Sequence, residues 1–232
     1  GPSIKNINDY NHQWAVNQVK VDRYLNNLPI NQEYMTSKDI KEIHRLSFED
    51  LTTFGGKTTK VQMKFGPHMG APPLKINEEL ALLDRQMEIL WKEAKNDDAK
   101  MRALAFQHVR LVSIHGFKDG NGRTSRAALS FAFDRTFDQR RNNVISRSDY
   151  IAANNSAINS GNIGRLAHMF AKDHEMSYCG SDHHIAPYET RAFQAEHDLT
   201  GDQGLARSSL QSAASINQAN SKNRWLRPSD MK

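Results

Sequence analysis

The sequence predicts an all-α domain carrying one short β-hairpin. Two observations predict it. Apolar residues recur at the i, i+3, i+4 spacing of helices over most of residues 6–175, and a single segment, Thr59 to Phe65, alternates with the period of a strand. With 232 residues, 38% hydrophobic and 25% charged, the chain can build one core and an appendage. No apolar run reaches the roughly 18–20 residues of a membrane span, and no charged-then-apolar start resembles a signal peptide. The lone cysteine, Cys179, excludes an internal disulfide framework and suits a reducing compartment. The net charge of +5 is spread among interleaved acids, with no run of five like charges, so nucleic acid is not the expected partner.

The elements follow in order. Residues 6–28 read as a helix with a wet face (Trp14, Val16, Val19, Val21, Tyr24, Leu25), stopped by Pro29. Thr36-Ser37 offers the N-cap of a second helix through Ile40, Ile43, Leu46, Phe48 and Leu51, which Gly55-Gly56 ends. Val61, Met63 and Phe65 then alternate with Lys60, Gln62 and Lys64 as a half-buried strand, followed by a rigid loop from Gly66 to Pro73 in which His68 packs on Pro72-Pro73. Residues 76–95 form an amphipathic helix. Asp97-Asp98 caps the next, which is apolar on more than one face and so is a central, buried helix ending at His115-Gly116. Another helix runs from Asn121 to about Phe137 with Phe131 and Phe133 in the core, and two more fit 147–159 and 162–175. The expected organisation is an N-terminal helical extension over 1–35, a core over 36–178 and a polar, loosely packed extension or linker over 179–232. Gly1-Pro2-Ser3 resembles a protease-cleavage scar.

Chemistry concentrates in His115-Gly116-Phe117-Lys118-Asp119-Gly120-Asn121-Gly122-Arg123-Thr124-Ser125-Arg126. Two glycines flank an asparagine at a helix start, so backbone N–H groups converge on one point in the positive field of the helix N-terminus, which makes an anion cradle. Arg123 and Arg126 share one helix face and suit phosphate oxygens. Asp119 supplies a hard carboxylate for Mg²⁺, and His115 a base near neutral pH. A base, a metal ligand, an anion nest and two clamps are equipment for phosphoryl or nucleotidyl transfer. Rival motifs fail on spacing: a Walker A loop needs Lys where Arg123 stands, and a Rossmann fingerprint needs a preceding strand. His168, His174, His183 and His184 match no zinc spacing.

The segment resembles the signature of the Fic (Fic/Doc) family, His-Pro-Phe-x-Asp/Glu-Gly-Asn-Gly-Arg-x-x-Arg, at every specified position except one, where Gly116 stands for proline. The resemblance covers roughly residues 36–175 and implies a Fic-like helical bundle, with the segment around Thr59 to Phe65 as the β-hairpin "flap" before the core helices. It implies a protein adenylyltransferase that moves AMP from Mg-ATP to a Ser, Thr or Tyr hydroxyl. By position, His115 is then the base and Phe117 anchors the loop. Asp119 binds Mg²⁺. Gly120, Asn121 and Gly122 cradle phosphates with the Asn121 side chain at the α-phosphate, and Arg123 and Arg126 hold the β- and γ-phosphates. The Gly116 departure loosens the turn after the base without removing a reacting group. A free flap edge (Lys60, Val61, Gln62, Met63, Lys64) is expected to dock the target protein, and Asn154 and Asn155 fall where relatives often line the adenine pocket.

Many relatives restrain themselves through a helix bearing Ser/Thr-x-x-x-Glu-Gly/Asn. No Glu in this chain is followed by Gly or Asn. The expectation is control by a separate antitoxin carrying the inhibitory glutamate, or a delivered effector; the location expected is cytoplasmic, or the host cytosol for an effector. The alternatives are another donor or chemistry on the same fold (UMP transfer, phosphorylation), a nucleotide-binding interaction module with weak turnover, and a nucleic-acid-binding role.

Overall fold

The computed structural model describes residues 4–139, 145–161 and 163–179. Gly1-Pro2-Ser3, His183, His184 and nearly all of the expected C-terminal extension lie outside the described residues. In chain order the described elements are α1 (Ile7–Asn26), α2 (Ser37–Ser47), β1 (Lys64–Phe65), β2 (His68–Met69), α3 (Ile76–Glu93), α4 (Asp97–Ile114), α5 (Asn121–Phe137), α6 (Arg147–Ser160) and α7 (Gly164–Asp173).

The organising element is α4. Twelve of its eighteen residues are buried, from Ala99 and Met101 to Leu111 and Ile114, and α3, α5, α6 and α7 all pack on it. This is the helix whose sequence is apolar on more than one face, and the all-round pattern is what a central position demands. Phe133, Phe170, Met87, Leu90, Met101, Leu104 and Leu166 are essentially inaccessible around it; each such side chain contributes about 1.5–3 kcal/mol relative to an exposed one.

Three boundaries differ from the sequence reading. The second helix stops at Ser47 instead of running to Gly55-Gly56. Phe48 breaks the Ile40, Ile43, Leu46 stripe, and Asp50 takes a left-handed backbone conformation (φ 59°), so the chain turns to send Phe48 inward. Thr36 does cap α2, with a reciprocal bond from Asp39 that completes a capping box. The cap of α4 is Asn96, whose side chain accepts from the Ala99 N–H at 2.9 Å; Asp97 and Asp98 sit in the first turn, where their charge favours the helix dipole. The strand predicted over Thr59 to Phe65 shortens to Lys64–Phe65, paired antiparallel in the register Lys64 with Met69 and Phe65 with His68. Gly66 (φ 53°) opens the two-residue turn. Upstream, the Thr59 hydroxyl accepts from the Val61 N–H at 3.2 Å, which makes a local turn instead of a ladder, and the Thr59 N–H donates to Gly116 O at 2.8 Å.

Polar contacts hold α1, of which only Gln13, Asn17 and Val21 are buried. The Asn17 amide donates to Ser47 O at 3.2 Å and to Glu49 O at 2.7 Å, and its Oδ1 accepts from Gln13. It thereby satisfies carbonyls that the C-terminal turn of α2 leaves without partners. Lys20 pairs with Glu49, and the Tyr24 hydroxyl donates to Asp39 at 2.7 Å. Replacing Asn17 by Ala orphans these carbonyls in a fully buried spot; the expected cost is about 1–3 kcal/mol, read as a lowered urea midpoint at unchanged m-value.

Candidate active site

The site is built at the junction of α4 and α5. α4 ends on His115, which caps it in a left-handed conformation (φ 49°, ψ 46°), and α5 begins at Asn121 with Gly120 as its N-cap (φ 76°). Between them the chain closes on itself through Asn121. Its Oδ1 accepts from the Phe117 N–H at 2.9 Å, and its Nδ2 donates to Phe117 O at 2.7 Å. Instead of reaching toward a phosphate, as expected, the Asn121 carboxamide is turned inward and locks the loop. This leaves the backbone N–H groups of the first turn of α5 as the anion donors.

A second tie comes from α2. His44, fully buried, accepts the Gly56 N–H at Nδ1 (2.8 Å), so its other nitrogen carries the proton and donates to Asp119 O at 2.9 Å. Its ring lies flat on Phe117, with centroids 3.9 Å apart and planes 8° from parallel, and close to Phe48. Burial pushes the His44 pKa below the ordinary histidine value, which suits a neutral imidazole with one donor and one acceptor. Phe117 is 4% exposed, in keeping with the anchoring role that the resemblance implies. A Cβ at Gly120 would lie 2.4 Å from the Phe48 ring, so only glycine fits there. Sequence reasoning missed His44. Its one trace was a histidine on the apolar face of α2, a pattern that more often marks a satisfied core residue.

His115 is half-buried between this loop and the hairpin. Its Nδ1 lies 3.2 Å from Val112 O, a group that only accepts, so Nδ1 carries the proton and Nε2 keeps a free lone pair. Phe65 from β1 stacks on the imidazole at 4.3 Å with planes 2° apart. Burial lowers the pKa of His115, only partly countered by the Val112 bond. The hairpin is pinned above the site by His68, whose Nε2 lies 3.2 Å from Asn155 Oδ1; this is where His68 points, instead of packing on Pro72-Pro73. The Gln62 carboxamide donates to Gly70 O at 2.7 Å, within the hairpin. Val61, 65% exposed, is open to solvent.

A pocket of ≈ 580 Å³ opens over the N-terminus of α5, lined by His115, Lys118, Asp119, Gly120, Asn121, Gly122, Arg123 and Arg126, and by Arg147, Tyr150 and Ile151 of α6. Four cationic side chains thus face one carboxylate. The Asp119 Oδ1 accepts from the Gly120 N–H at 2.6 Å and Oδ2 from Arg123 at 3.1 Å. A single exposed carboxylate holds Mg²⁺ only in company with ligand phosphates and water; this donor set fits that arrangement, and among the described residues no group of three or more His, Cys, Asp or Glu fits a metal by itself. Arg147, Tyr150 and Ile151 carry no motif that would reveal them in sequence. Asn154 is buried on the same helix, its Nδ2 bonded to Tyr150 O at 2.8 Å, and does not line the pocket.

Fold and site therefore define a helical domain suited to binding phosphate at the junction of its two central helices, beside a neutral histidine. Residues 34–133 match the model of the Fic/DOC family. The protein adenylyltransferase Fic of Drosophila mojavensis is 34% identical over 110 residues, 47% of this chain and 21% of that one. The chain thus spans about a fifth of the length of that curated relative. Among solved structures, Fic-1 (residues 134–508) from C. elegans has a TM-score of 0.57 at 20% identity, covering 87% of this chain and 55% of that chain. BepC, a VirB-translocated effector from Bartonella tribocorum solved with bound AMPPNP, has 0.56 at 17% identity, covering 73% and 88%.

The family proline has a packing counterpart here. A Cβ at Gly116 would lie 2.9 Å from Ile76 Cγ2, so Ile76 fills the space that a ring at position 116 needs. Gly116→Pro is expected to destabilise by about 1–3 kcal/mol through overpacking. Ile76→Leu, which lacks the Cγ2 methyl, should relieve much of that cost, and a denaturation double-mutant cycle measures the coupling.

Proposed function

We propose that this chain transfers AMP from ATP to a hydroxyl of a target protein. One observation carries the reading: a neutral histidine with a free Nε2 shares a single pocket with a helix N-terminus, Arg123 and Arg126. The adenylyltransferase name of the relative supports the activity, and the AMPPNP in BepC supports an adenine nucleotide as donor.

In this mechanism the His115 Nε2 takes the proton of the incoming hydroxyl while that oxygen attacks the α-phosphorus. The new O–P bond forms as the α–β phosphoanhydride breaks, and pyrophosphate leaves. Its charge falls to Arg123, on the β-phosphate, and Arg126, on the γ-phosphate, with the N–H groups of Asn121 and Gly122 at the cradle. Asp119 would hold Mg²⁺ with the phosphates, and that ion supplies charge neutralisation when bound. Stacked under Phe65, the buried imidazole is disfavoured in its charged form, which keeps it competent as a base. Gly120 lets Phe48 press on the loop from beneath, so the cradle exists before the nucleotide arrives.

The edge at Lys60, Val61 and the partly buried Met63 is the docking surface proposed for the target, whose extended segment would pair beside the hairpin. The Gln62 side chain, committed to Gly70, orders the hairpin instead of reading the target. Because no Glu of this chain sits in the inhibitory pattern, the inhibitory glutamate is proposed to come from outside it, from a separate antitoxin, unless the chain acts as an effector in a host cytosol. Among the described residues no helix is long and apolar enough to cross a membrane.

Intact-mass spectrometry of the chain after incubation with Mg-ATP, beside His115→Ala, tests the reaction. The expected result is a gain of one AMP on the wild type or on a protein in lysate, absent with the variant; a gain of one phosphate would assign kinase chemistry instead. The labelling rate should also report the base. Burial lowers the His115 pKa, and the working form is the unprotonated one. The rate is therefore expected to fall as the pH is lowered, with an apparent midpoint under the ordinary histidine value.

A further inference from the structure

The first arginine of the loop is held by a residue that lies outside the stretch matched by the family. The Arg123 guanidinium carbon sits 4.5 Å from the centroid of the Trp14 ring and 5.0 Å from that of Phe48. The two rings meet edge to face at 5.8 Å, so they form a corner with the guanidinium seated in it. The remaining restraint is the 3.1 Å pair with Asp119, whose side chain is 63% exposed. An exposed pair of this kind holds an arginine only weakly. Two aromatic faces that shed water from one side of the cation hold it better.

Trp14 belongs to α1, whose docking sets the place of the indole. Asn17, one turn further on, is fully buried and bonded to the backbone carbonyls of Ser47 and Glu49. Those bonds fix the rotation and the axial position of α1 against α2. Trp14 and Asn17 are three residues apart and share a helix face, so the same docking that satisfies the end of α2 lays the indole over Arg123. Phe48, the residue that interrupts α2, completes the corner and also lies under Gly120.

We infer that Trp14, with Phe48, is a positioning residue that presents the Arg123 guanidinium to the β-phosphate of the nucleotide. The inference rests on the phosphate assignments proposed above. Arg123 has several long rotamers in solution, and holding one of them in advance removes an entropic cost from binding. The effect is confined to ligands that have a β-phosphate. A merely structural tryptophan would weaken all nucleotides alike.

Calorimetric titration of the full chain with ADP and with AMP, without metal, separates these roles. Wild type is expected to prefer ADP. In Trp14→Leu that preference should fall by about five-fold or more, the scale of a partly desolvated cation–aromatic contact, with AMP affinity unchanged. Trp14→Phe should keep most of the preference. In an Arg123→Ala background Trp14→Leu should change nothing further. Equal losses for ADP and AMP, or an unaltered preference, would overturn the positioning role while leaving the proposed function standing. A wild type without any ADP preference would overturn the phosphate assignments, and this inference with them. Should Trp14→Leu fail to fold, the Arg123 side-chain N–H resonance decides: a ring-current shift reduced in Trp14→Phe supports the contact, and an unshifted one overturns it.

Discussion

Everything at the site depends on the closure of a six-residue link between two central helices. The link must reverse the chain, expose a row of N–H groups and hold an imidazole, using only the protein's own side chains. Asn121 meets that demand by bonding both backbone groups of Phe117, and His44 meets it from outside by bonding Asp119 O. Each tie uses a buried polar side chain with its hydrogen-bonding capacity matched to backbone partners. Buried polar groups are costly when unpaired and rigidifying when paired, so the loop is held at a place where looseness would itself be unfavourable.

The layers around this link are graded in the same sense. Directly beneath lie Phe117, stacked on His44, and Phe48, tilted against the same imidazole. Beneath them α4 supplies an apolar floor on which four other helices rest. Above, the hairpin is fastened by a few contacts: Phe65 on His115, His68 on Asn155, and the backbone bonds of Thr59 N–H to Gly116 O and Ala71 N–H to Ile114 O. A rigid cradle under a lightly tethered cover is the arrangement that suits a site where the nucleotide seat must be preformed and the second substrate must enter.

Electrostatics in the pocket are lopsided. Lys118, Arg123, Arg126 and Arg147 face one carboxylate, Asp119. Cations crowded beside a helix N-terminus repel one another, and a polyphosphate among them would turn that repulsion into attraction, which is why the pocket suits the nucleotide proposed for it. The proposed base, His115, does not add to this field when it is neutral: its Nδ1 is committed to Val112 O, and the ring of Phe65 covers one face of the imidazole.

Much of this was legible from the residues alone. The helix periods, the cap at Thr36, the start of α5 at Asn121, the buried character of α4 and the glycine-rich link between two helices at 115–120 are local properties, set by neighbours within one or two turns, and the chain order states them directly. The resemblance to the Fic family was legible for the same reason, since the signature that carries it is contiguous. What only the tertiary structure decided are contacts between elements distant in the chain. His44 lies 75 positions from the backbone carbonyl that it supports, and Trp14 stacks on an arginine in a different helix. Arg147 and Tyr150 reach the pocket from α6, while Asn154 on the same helix turns into the core. The flap strand contracted because alternation of apolar residues cannot create a pairing strand: only Lys64 and Phe65 joined the hairpin ladder. Which side chain meets which across a helical bundle depends on the rotation of each helix about its axis. That rotation is chosen by the packing of the whole core and by ties such as Asn17, and no local pattern records it.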